Sequence, residues 1–411
     1  MQTCFLLGSG ISLPAKLPSV DEITEQVLST KDFFPDSDGF YRRIKAGHRC
    51  STLVKTTGPE MERIRHFLLW LKGLAELRFA GETGWLVTYE ELAYLAAQIS
   101  DDASGNQENP ALGPLIEGAL KTLPSFSTAG SEGPSQLGQL AGKTVDYIAD
   151  VVAEMLAKNP ESSNHLRLFR DAVMAQRLGL GTVSLFTLNH DCLLEKFLRS
   201  EQIDVIDGFD KEDDLGIRIW NPHLLEIRPA DLTKAAVQLF KLHGSIDWQR
   251  FRPRATNGKN PWSKEYVGIQ SISSLAQVNR REIESLGRAQ FLAGKFNKMT
   301  GYLNHVFLEL HYRFHLAMAD ASRLVVCGYG FGDKGINNRI TDWMCLSEDS
   351  VHRKMILIDP KSLEQVRATS RGAIAAKLPS WTEEGRFIHL EFPIGHKSLT
   401  WERVSAELLV K

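Results

Sequence analysis

The sequence lacks the features that would assign it to several common classes. Its five cysteines are scattered and form no CxxC pair, which argues against a disulfide framework and against a four-cysteine zinc site. It contains no apolar stretch of about eighteen residues, so we expect no membrane span. Its N-terminus has no basic segment and leads directly into a glycine loop, so we expect no signal peptide.

The charge of the chain is nearly balanced, with 48 basic and 50 acidic residues and a net charge of −2. So small a net charge gives no electrostatic case for a nucleic-acid coat protein, and we expect no direct contact with nucleic acid. Of the 411 residues, 43% are apolar and 24% are charged, as in ordinary globular proteins. We expect a folded protein of a reducing cytoplasm, with one enlarged domain or two ordinary ones.

Short apolar runs predict the strands of one parallel sheet. They are rich in branched or aromatic side chains, and they lie at residues 3–7, 182–187, 237–242, 324–327 and 355–358. Continuous apolar strands indicate a sheet that is covered on both faces, and helical segments between them indicate parallel strands. The predicted core is therefore an α/β fold.

Two long segments interrupt this core. Between the first and second strands, apolar residues recur at three- and four-residue steps over 136–157, and Thr88 with Glu91 resembles a capping box. We therefore predict an inserted helical module over residues 40–160. A second, mostly helical insertion is predicted over 250–320, with a helix near 302–319.

The loop after the first strand, Gly8-Ser9-Gly10-Ile11-Ser12, is a candidate for phosphate binding. Its glycines would let backbone amides approach a phosphate, and a following helix N-terminus would favour the negative charge. The dinucleotide pattern GxGxxG is incomplete because residue 13 is leucine. A purely structural turn is therefore the alternative.

Polar clusters follow the second and third strands, as Thr187-Leu188-Asn189-His190-Asp191 and His243-Gly244-Ser245. Ligands of open α/β sheets bind outside the carboxyl ends of the strands. A histidine at such an end can accept a proton near neutral pH, and the following glycine would let a substrate come close. The alternatives are that the first cluster caps the next helix and that His243 is structural.

The fourth and fifth strands end in a glycine loop, Gly328-Tyr329-Gly330-Phe331-Gly332-Asp333, and in Asp359. Alternating glycines imply an unusual backbone path, either for a turn or for the approach of a ligand. An acidic residue at a strand end can bind ribose hydroxyls, although Asp359-Pro360 is also a common turn.

Two further groups of residues resemble sites without completing one. His311 and His315 lie one helical turn apart, but no HExxH pattern or acidic third ligand accompanies them, so we expect no metal there. One predicted loop concentrates positive charge on Arg250, Arg252, Arg254, Lys259 and Lys264. We interpret it as a solvated loop, with contact to a partner or nucleic acid as the alternative.

In their order along the chain, these segments resemble the motifs of the sirtuin superfamily. Sirtuins carry a GAGxS loop, a TQNxD segment, an HG segment and a late glycine loop, and the matching stretches here are 8–12, 187–191, 243–244 and 328–330. The closer resemblance is to bacterial sirtuin-like domains of anti-phage defence. It rests on Phe186–Leu194 (FTLNHDCLL), Asp207-Gly208-Phe209, Lys241–Trp248 (KLHGSIDW) and Gly328–Asn337 (GYGFGDKGIN).

The resemblance implies a Rossmann-like NAD-binding domain that acts as an NAD⁺ glycohydrolase and releases nicotinamide and ADP-ribose. It implies that Asn189 holds the attacking water or a ribose hydroxyl and that His243 accepts a proton. The residues implied to bind NAD⁺ are Gly8, Ser9, Gly10, Ser12, Asp191, Gly328, Tyr329, Gly330 and Asp359. The first four would hold the pyrophosphate, and Asp191 would orient the Asn189 loop.

The chain departs from deacylase sirtuins in a contact to the nicotinamide riboside or acyl substrate and in the module that supports an acyl-lysine groove. Leu188 replaces the glutamine of TQN, and no four-cysteine zinc module follows His243. A protein deacylase is the alternative enzyme, and a catalytically idle scaffold that binds NAD⁺ or ADP-ribose is the alternative of another class. The presence of both Asn189 and His243 argues against the idle scaffold.

The resemblance also implies partners. Relatives in anti-phage defence are controlled through oligomerisation and through a partner such as a HerA-type ATPase or an Argonaute protein. We expect a homo-oligomer and, of these two partners, the ATPase. The apolar face predicted for residues 136–157 would pack on the core, on a second copy or on a partner.

Overall fold

The computed structural model divides the chain into two compact units. The described residues are 2–44, 51–78, 86–103, 109–126, 133–179, 182–212, 217–253, 266–270, 283–285, 287–293, 301–303, 305–346 and 348–409. Unit 1 comprises Met1–Leu17, Asn159–Leu292 and Lys298–Lys411, and unit 2 comprises Pro18–Lys158 and Ala293–Asn297. Every candidate site residue lies in unit 1.

The elements are numbered in chain order over the described residues. The strands are β1 (Gln2–Leu7), β2 (Phe33–Pro35), β3 (Tyr41–Arg43), β4 (Thr182–Thr187), β5 (Asp204–Ile206), β6 (Ile217–Ile219), β7 (Ala236–Lys241), β8 (Gly244–Ser245), β9 (Trp248–Pro253), β10 (Tyr266–Gln270), β11 (Ile283–Ser285), β12 (Gln290–Phe291), β13 (Arg323–Cys327), β14 (Lys354–Ile358) and β15 (Phe387–Leu390). The α-helices are α1 (Val20–Ser29), α2 (Ser51–Arg78), α3 (Tyr89–Ala103), α4 (Leu112–Thr122), α5 (Gly133–Leu156), α6 (Arg167–Arg177), α7 (Leu193–Ser200), α8 (His305–Asp320), α9 (Lys334–Cys345), α10 (Leu363–Thr369), α11 (Ile374–Glu383) and α12 (Trp401–Leu409). Within the described ranges, no helix has the length and apolar character needed to cross a membrane.

Seven described strands of unit 1 form one sheet in the order β15-β14-β13-β1-β4-β7-β5. All neighbouring strands in it are parallel. Strand β4 lies on one side of β1, whereas β13 and then β14 lie on its other side. The direction in which strands are added to the sheet therefore reverses between β1 and β13. The predicted α/β fold with a Rossmann-like parallel sheet is confirmed.

The two faces of the sheet enter different apolar clusters. On β1, Cys4 and Leu6 pack in one cluster with side chains of α8, α9 and α11. Phe5 and Leu7 pack in the other with side chains of α6, α7 and α12. Because both faces of the sheet are buried, the strand sequences are continuous apolar runs and do not alternate between apolar and polar residues.

Unit 2 contains helices α1 to α5 and a short antiparallel hairpin of β2 and β3. Helices α2 to α5 and strand β3 lie within the segment 40–160 that was predicted to be a helical module, whereas α1 and β2 precede it. Helix α3 begins after Thr88, whose backbone amide donates to Glu91 Oε2 at 2.8 Å, which is one half of the predicted capping box. The Thr88 hydroxyl donates to the same Glu91 oxygen at 2.6 Å instead of accepting from the Glu91 amide. Helix α5 buries its apolar face, including Leu137, Ile148 and Val152, and packs against α3. That face is therefore covered within the unit.

The prediction of a mostly helical insertion over 250–320 was wrong for the described residues up to 293. Strands β9, β10 and β11 form an antiparallel sheet with β6, and β12 pairs with β8. Phe251 is buried between the more exposed Arg250 and Arg252, the period-two pattern of a strand. These two arginines therefore lie in β9 rather than in a loop, whereas Arg254, Lys259 and Lys264 lie outside the described residues. The helix predicted near 302–319 is α8.

Candidate active site

The carboxyl ends of four neighbouring strands are joined by backbone hydrogen bonds just beyond the sheet. The amide of Gly8 donates to Cys327 O at 2.9 Å, which links the ends of β1 and β13. Leu188 N donates to Leu7 O at 2.9 Å, and Leu242 N donates to Thr187 O at 2.9 Å, which adds the ends of β4 and β7. The reversal of strand order at β1 and β13 makes this edge the place where α/β sheets bind ligands.

The two glycine loops at this edge pack directly against each other. Gly10 N donates to Gly328 O at 2.9 Å, and a Cβ atom on Gly10 would lie 2.7 Å from Gly328 Cα. Gly328 has a φ of +61°, and a Cβ atom there would lie 2.7 Å from the backbone nitrogen of Ile11. These glycines therefore permit loop-to-loop contact, and the amides of Gly8 and Gly10 are already donated within the protein.

Ser12 connects the first loop to the polar cluster that follows β4. Its Oγ donates to Asp191 Oδ2 at 2.7 Å and accepts from Asn189 Nδ2 at 3.0 Å. Asp191 Oδ1 also accepts from Leu193 N at 2.9 Å, at the start of α7. One oxygen of Asp191 therefore caps α7 while the other accepts from Ser12. The cluster can cap a helix and belong to a ligand site at the same time.

The hydrogen bonds of Ser12 determine the orientation of the Asn189 amide. A hydroxyl group has one proton, and Ser12 donates it to Asp191, so Oγ can only accept from Asn189. The neighbouring group is therefore Nδ2. Asn189 Oδ1 is buried, and the described residues provide no hydrogen-bond donor for it. It is an acceptor that a ligand could satisfy.

A buried ion pair supports this cluster from behind. Lys241 Nζ donates to Glu195 Oε1 at 2.6 Å and also to the carbonyl oxygen of Asp191. Burial alone would lower the pKa of Lys241, but the negative charge of Glu195, together with other acidic groups nearby such as Asp247 and Asp191, outweighs burial and raises that pKa. Lys241 was not among the predicted site residues. A charged residue inside the apolar run 237–242 nevertheless indicates that a buried group of opposite charge lies nearby.

His243 is buried at the end of β7, in a tight turn. Gly244 follows it with a φ of +81°, and a Cβ atom there would lie 2.3 Å from Gln290 O of β12. His243 O accepts from Leu292 N at 2.8 Å. The glycine therefore allows β12 to lie against the turn, which is a structural reason for the His-Gly pair.

The imidazole of His243 contacts two side chains that were not among the predicted site residues. Its Nε2 lies 3.2 Å from Asp333 Oδ2 and 3.5 Å from the hydroxyl oxygen of Tyr302. Tyr302 donates to the same Asp333 oxygen at 2.7 Å. The position of Asp333 after a glycine loop was a local signal, whereas nothing in the sequence around Tyr302 indicated its role.

The remaining predicted residues occupy different positions along the same edge. Ser9 is exposed, and Gly330 has open space around its Cα. Tyr329 is buried, and its hydroxyl donates to Asn337 Oδ1 at 2.8 Å, so its side chain belongs to the core. Asp359 lies at the end of β14, where its Oδ1 accepts from Lys361 N at 2.9 Å in a turn.

The two histidines of α8 have separate environments. His311 is buried and stacks on Tyr302 with ring centroids 3.6 Å apart, whereas His315 is exposed. Burial lowers the pKa of His311 to about 3, so its ring is neutral at physiological pH. Among the described residues, no group of three or more His, Cys, Asp or Glu side chains is placed to hold a metal ion.

Residues 183–377 match the family model of the SIR2-like domain. The match supports a sirtuin-like family. SIR2-like domains use NAD⁺, and the match is consistent with an NAD-utilising enzyme. The matched segment contains Asn189, Asp191 and His243, and the contacts of Ser12 join the unmatched N-terminal loop to it. No curated protein matches the chain.

Proposed function

We propose that this protein is an NAD⁺ glycohydrolase, in which water cleaves the nicotinamide–ribose bond to give nicotinamide, ADP-ribose and a proton. The observation that carries the proposal is Asn189 Oδ1, a buried acceptor without a donor among the described residues. An unsatisfied buried acceptor is costly, and a water molecule or a ribose hydroxyl would supply the missing donor. The SIR2-like match makes NAD⁺ the ligand that fits.

This reaction requires positioning more than a strong nucleophile. Nicotinamide leaves as a neutral molecule while positive charge builds on the ribose, so nearby oxygen atoms stabilise the transition state. Asn189 Oδ1 would supply such an oxygen, and the buried imidazole of His243 would accept the proton. The Cys192 thiol is not a candidate nucleophile, because burial raises its pKa well above the usual value.

The hydrogen bonds already made in the first loop limit which of its groups could contact a pyrophosphate. Gly8 and Gly10 donate their amides to Cys327 and Gly328, so these two amides hold the loops together. We propose that the exposed hydroxyl of Ser9 makes the phosphate contact in this loop instead. Ser12 would act indirectly, by orienting Asn189.

The test is to measure nicotinamide and ADP-ribose released from NAD⁺ by wild-type protein and by Asn189→Ala and His243→Ala. Each variant should lose about 10²–10⁴-fold in turnover while remaining folded, as judged by circular dichroism. His315→Ala, which removes an exposed histidine, is the matched control and should keep full activity. Near-normal turnover by either site variant would contradict the assignment. A deacylase would instead release nicotinamide only with an acylated peptide, and an idle scaffold would bind NAD⁺ without product.

We propose in addition that the reaction depletes NAD⁺ in anti-phage defence, under the control of a homo-oligomer and a HerA-type ATPase partner. Support for this part comes from the resemblance of Phe186–Leu194, Lys241–Trp248 and Gly328–Asn337 to defence domains. Cells that carry the protein and such a partner should lose NAD⁺ on phage infection. Cells that carry Asn189→Ala should keep their NAD⁺ and lose protection.

A further inference from the structure

The two carboxylate oxygens of Asp333 serve different parts of the molecule. Oδ1 accepts from Gly335 N at 2.8 Å and from Ile336 N at 3.0 Å, which caps the N-terminus of α9. Oδ2 lies on the side of the candidate active site, 3.2 Å from His243 Nε2 and 2.7 Å from the Tyr302 hydroxyl. The helix cap uses only Oδ1. The contact of Oδ2 with a buried imidazole therefore indicates a second role for Asp333.

The chemistry of these groups assigns their protons. Burial and the charge of Asp333 raise the pKa of Tyr302, so its hydroxyl stays protonated and donates to Oδ2. An ionised carboxylate only accepts hydrogen bonds, so the contact with Oδ2 requires a proton on His243 Nε2. In a neutral imidazole, the lone pair that can take up a proton is then on Nδ1.

We propose that Asp333 is a positioning residue that holds His243 in the Nε2–H tautomer and thereby makes Nδ1 the nitrogen that accepts a proton. Tyr302 supports this arrangement by donating to the same oxygen, with its ring nearly parallel to that of His243 (16° between planes). The effect on turnover rests on the proposed NAD⁺ cleavage, whereas the tautomer is a property of the resting protein. A base oriented by a third group is a recurring arrangement in catalysis.

The variant Asp333→Asn separates the two tasks of this residue. Asparagine caps helices about as well as aspartate, so Oδ1 of the variant can still accept from Gly335 and Ile336. Its Nδ2 would face His243 as a donor, so Nε2 would have to accept and the proton would move to Nδ1. We expect kcat to fall about 10²–10⁴-fold with little change in KM and in melting temperature. Asp342→Asn, which removes the same charge from the exposed face of α9, should leave kcat unchanged.

The tautomer can be read without any turnover. Long-range ¹H–¹⁵N correlation spectra of ¹⁵N-histidine-labelled protein distinguish a protonated Nδ1 from a protonated Nε2, and His243→Gln identifies the His243 signal. At a pH where the ring is neutral, we expect a protonated Nε2 in the wild type and in Asp342→Asn. We expect a protonated Nδ1 in Asp333→Asn.

Each outcome decides the proposal. A protonated Nδ1 in the wild type, or the same tautomer in wild type and Asp333→Asn, would overturn it. So would a switched tautomer with kcat unchanged in an active enzyme, because Asp333 would then not position the reacting nitrogen. If the wild type does not cleave NAD⁺ at all, the proposed function fails, and the spectra alone decide whether Asp333 sets the tautomer.

Discussion

Ser12 and Asn189 lie 177 positions apart in the chain, yet Asn189 Nδ2 donates to Ser12 Oγ at 3.0 Å. Ser12 donates its own proton to Asp191 at 2.7 Å. The hydroxyl that follows β1 therefore orients the amide that follows β4, and it leaves Asn189 Oδ1 for another donor. One side chain from the first loop thus determines which atom of Asn189 is left without a donor among the described residues.

Removing this link should weaken both catalysis and folding. In Ser12→Ala, the Asn189 amide can rotate and Asp191 Oδ2 loses its donor, so we expect turnover to fall about 10–100-fold and the free energy of unfolding to fall by about 1–3 kcal/mol. Product release and urea unfolding would measure the two effects. Ser9→Ala, which removes an exposed hydroxyl from the same loop, should change the free energy of unfolding by less than about 0.5 kcal/mol. Equal stability of Ser12→Ala and wild type would contradict the prediction.

The contact between the two glycine loops can be tested with a matched pair of alanines. Gly328→Ala would place Cβ 2.7 Å from backbone atoms at a φ of +61°, and we expect it to lower the free energy of unfolding by about 2–4 kcal/mol. A Cβ atom at Gly330, two residues later, would have no atom of the described residues beyond its chain neighbours within 4 Å, so Gly330→Ala should lower the free energy of unfolding by less than about 1 kcal/mol. Chemical denaturation of both variants checks this, and similar losses would show that the steric account is wrong.

Stability should depend on pH through His311. The folded ring takes up a proton only near pH 3, whereas the unfolded histidine does so near 6.5, so the unfolded state binds more protons between these values. The free energy of unfolding should therefore fall as the pH falls from 6.5, with His311 contributing up to about 1.4 kcal/mol per pH unit. Unfolding of His311→Asn between pH 7 and 5 should show a shallower slope. His315→Asn, on the exposed side of the same helix, should keep the wild-type slope.

Activity should not depend on a metal ion. The described residues place no cluster of His, Cys, Asp and Glu that could hold one, and the proposed chemistry uses Asn189 and His243 directly. We expect full NAD⁺ cleavage after chelation and dialysis. Stoichiometric zinc in elemental analysis, together with loss of activity when it is removed, would contradict this expectation.

Self-association is expected to use α2 rather than α5. Leu69 and Leu77 are 46% and 76% exposed and line a groove on α2 with Trp70 and Leu74. An exposed apolar groove of this kind is a candidate contact for a second copy. We expect light scattering to show an oligomer that Leu77→Lys dissociates.

A charge at another exposed leucine provides the control for this experiment. Leu178 is 77% exposed and lies outside the groove, so Leu178→Lys should leave the oligomer intact. A wild-type protein that is monomeric at micromolar concentration would contradict the expectation of a homo-oligomer. Dissociation by both variants would argue against the groove as the contact.

The sequence was sufficient for five of the seven strands described in the central sheet and for the edge on which the candidate site lies, whereas the outermost strands β5 and β15 were not predicted. Apolar runs such as Thr182–Thr187 are covered on both faces, which only a sheet between two helical layers provides. Parallel strands place their carboxyl ends at the same edge, so the polar residues after each run had to lie along one line. The same reasoning failed for β9, where the alternation around Phe251 was interpreted as a basic loop, and for β10 to β12, which have five, three and two residues and carry little periodic signal.

Only the tertiary structure decided which atoms at that edge remain for a ligand. The packing of two loops uses the amides of Gly8 and Gly10, and the core takes the side chain of Tyr329. The partnership of Asp333 with His243 depends on a helix cap that begins 90 positions later in the chain. The local sequence pattern indicates secondary-structure propensity and burial. A hydrogen bond between residues distant in the chain depends instead on how the intervening elements pack, and that packing is determined by the whole sequence.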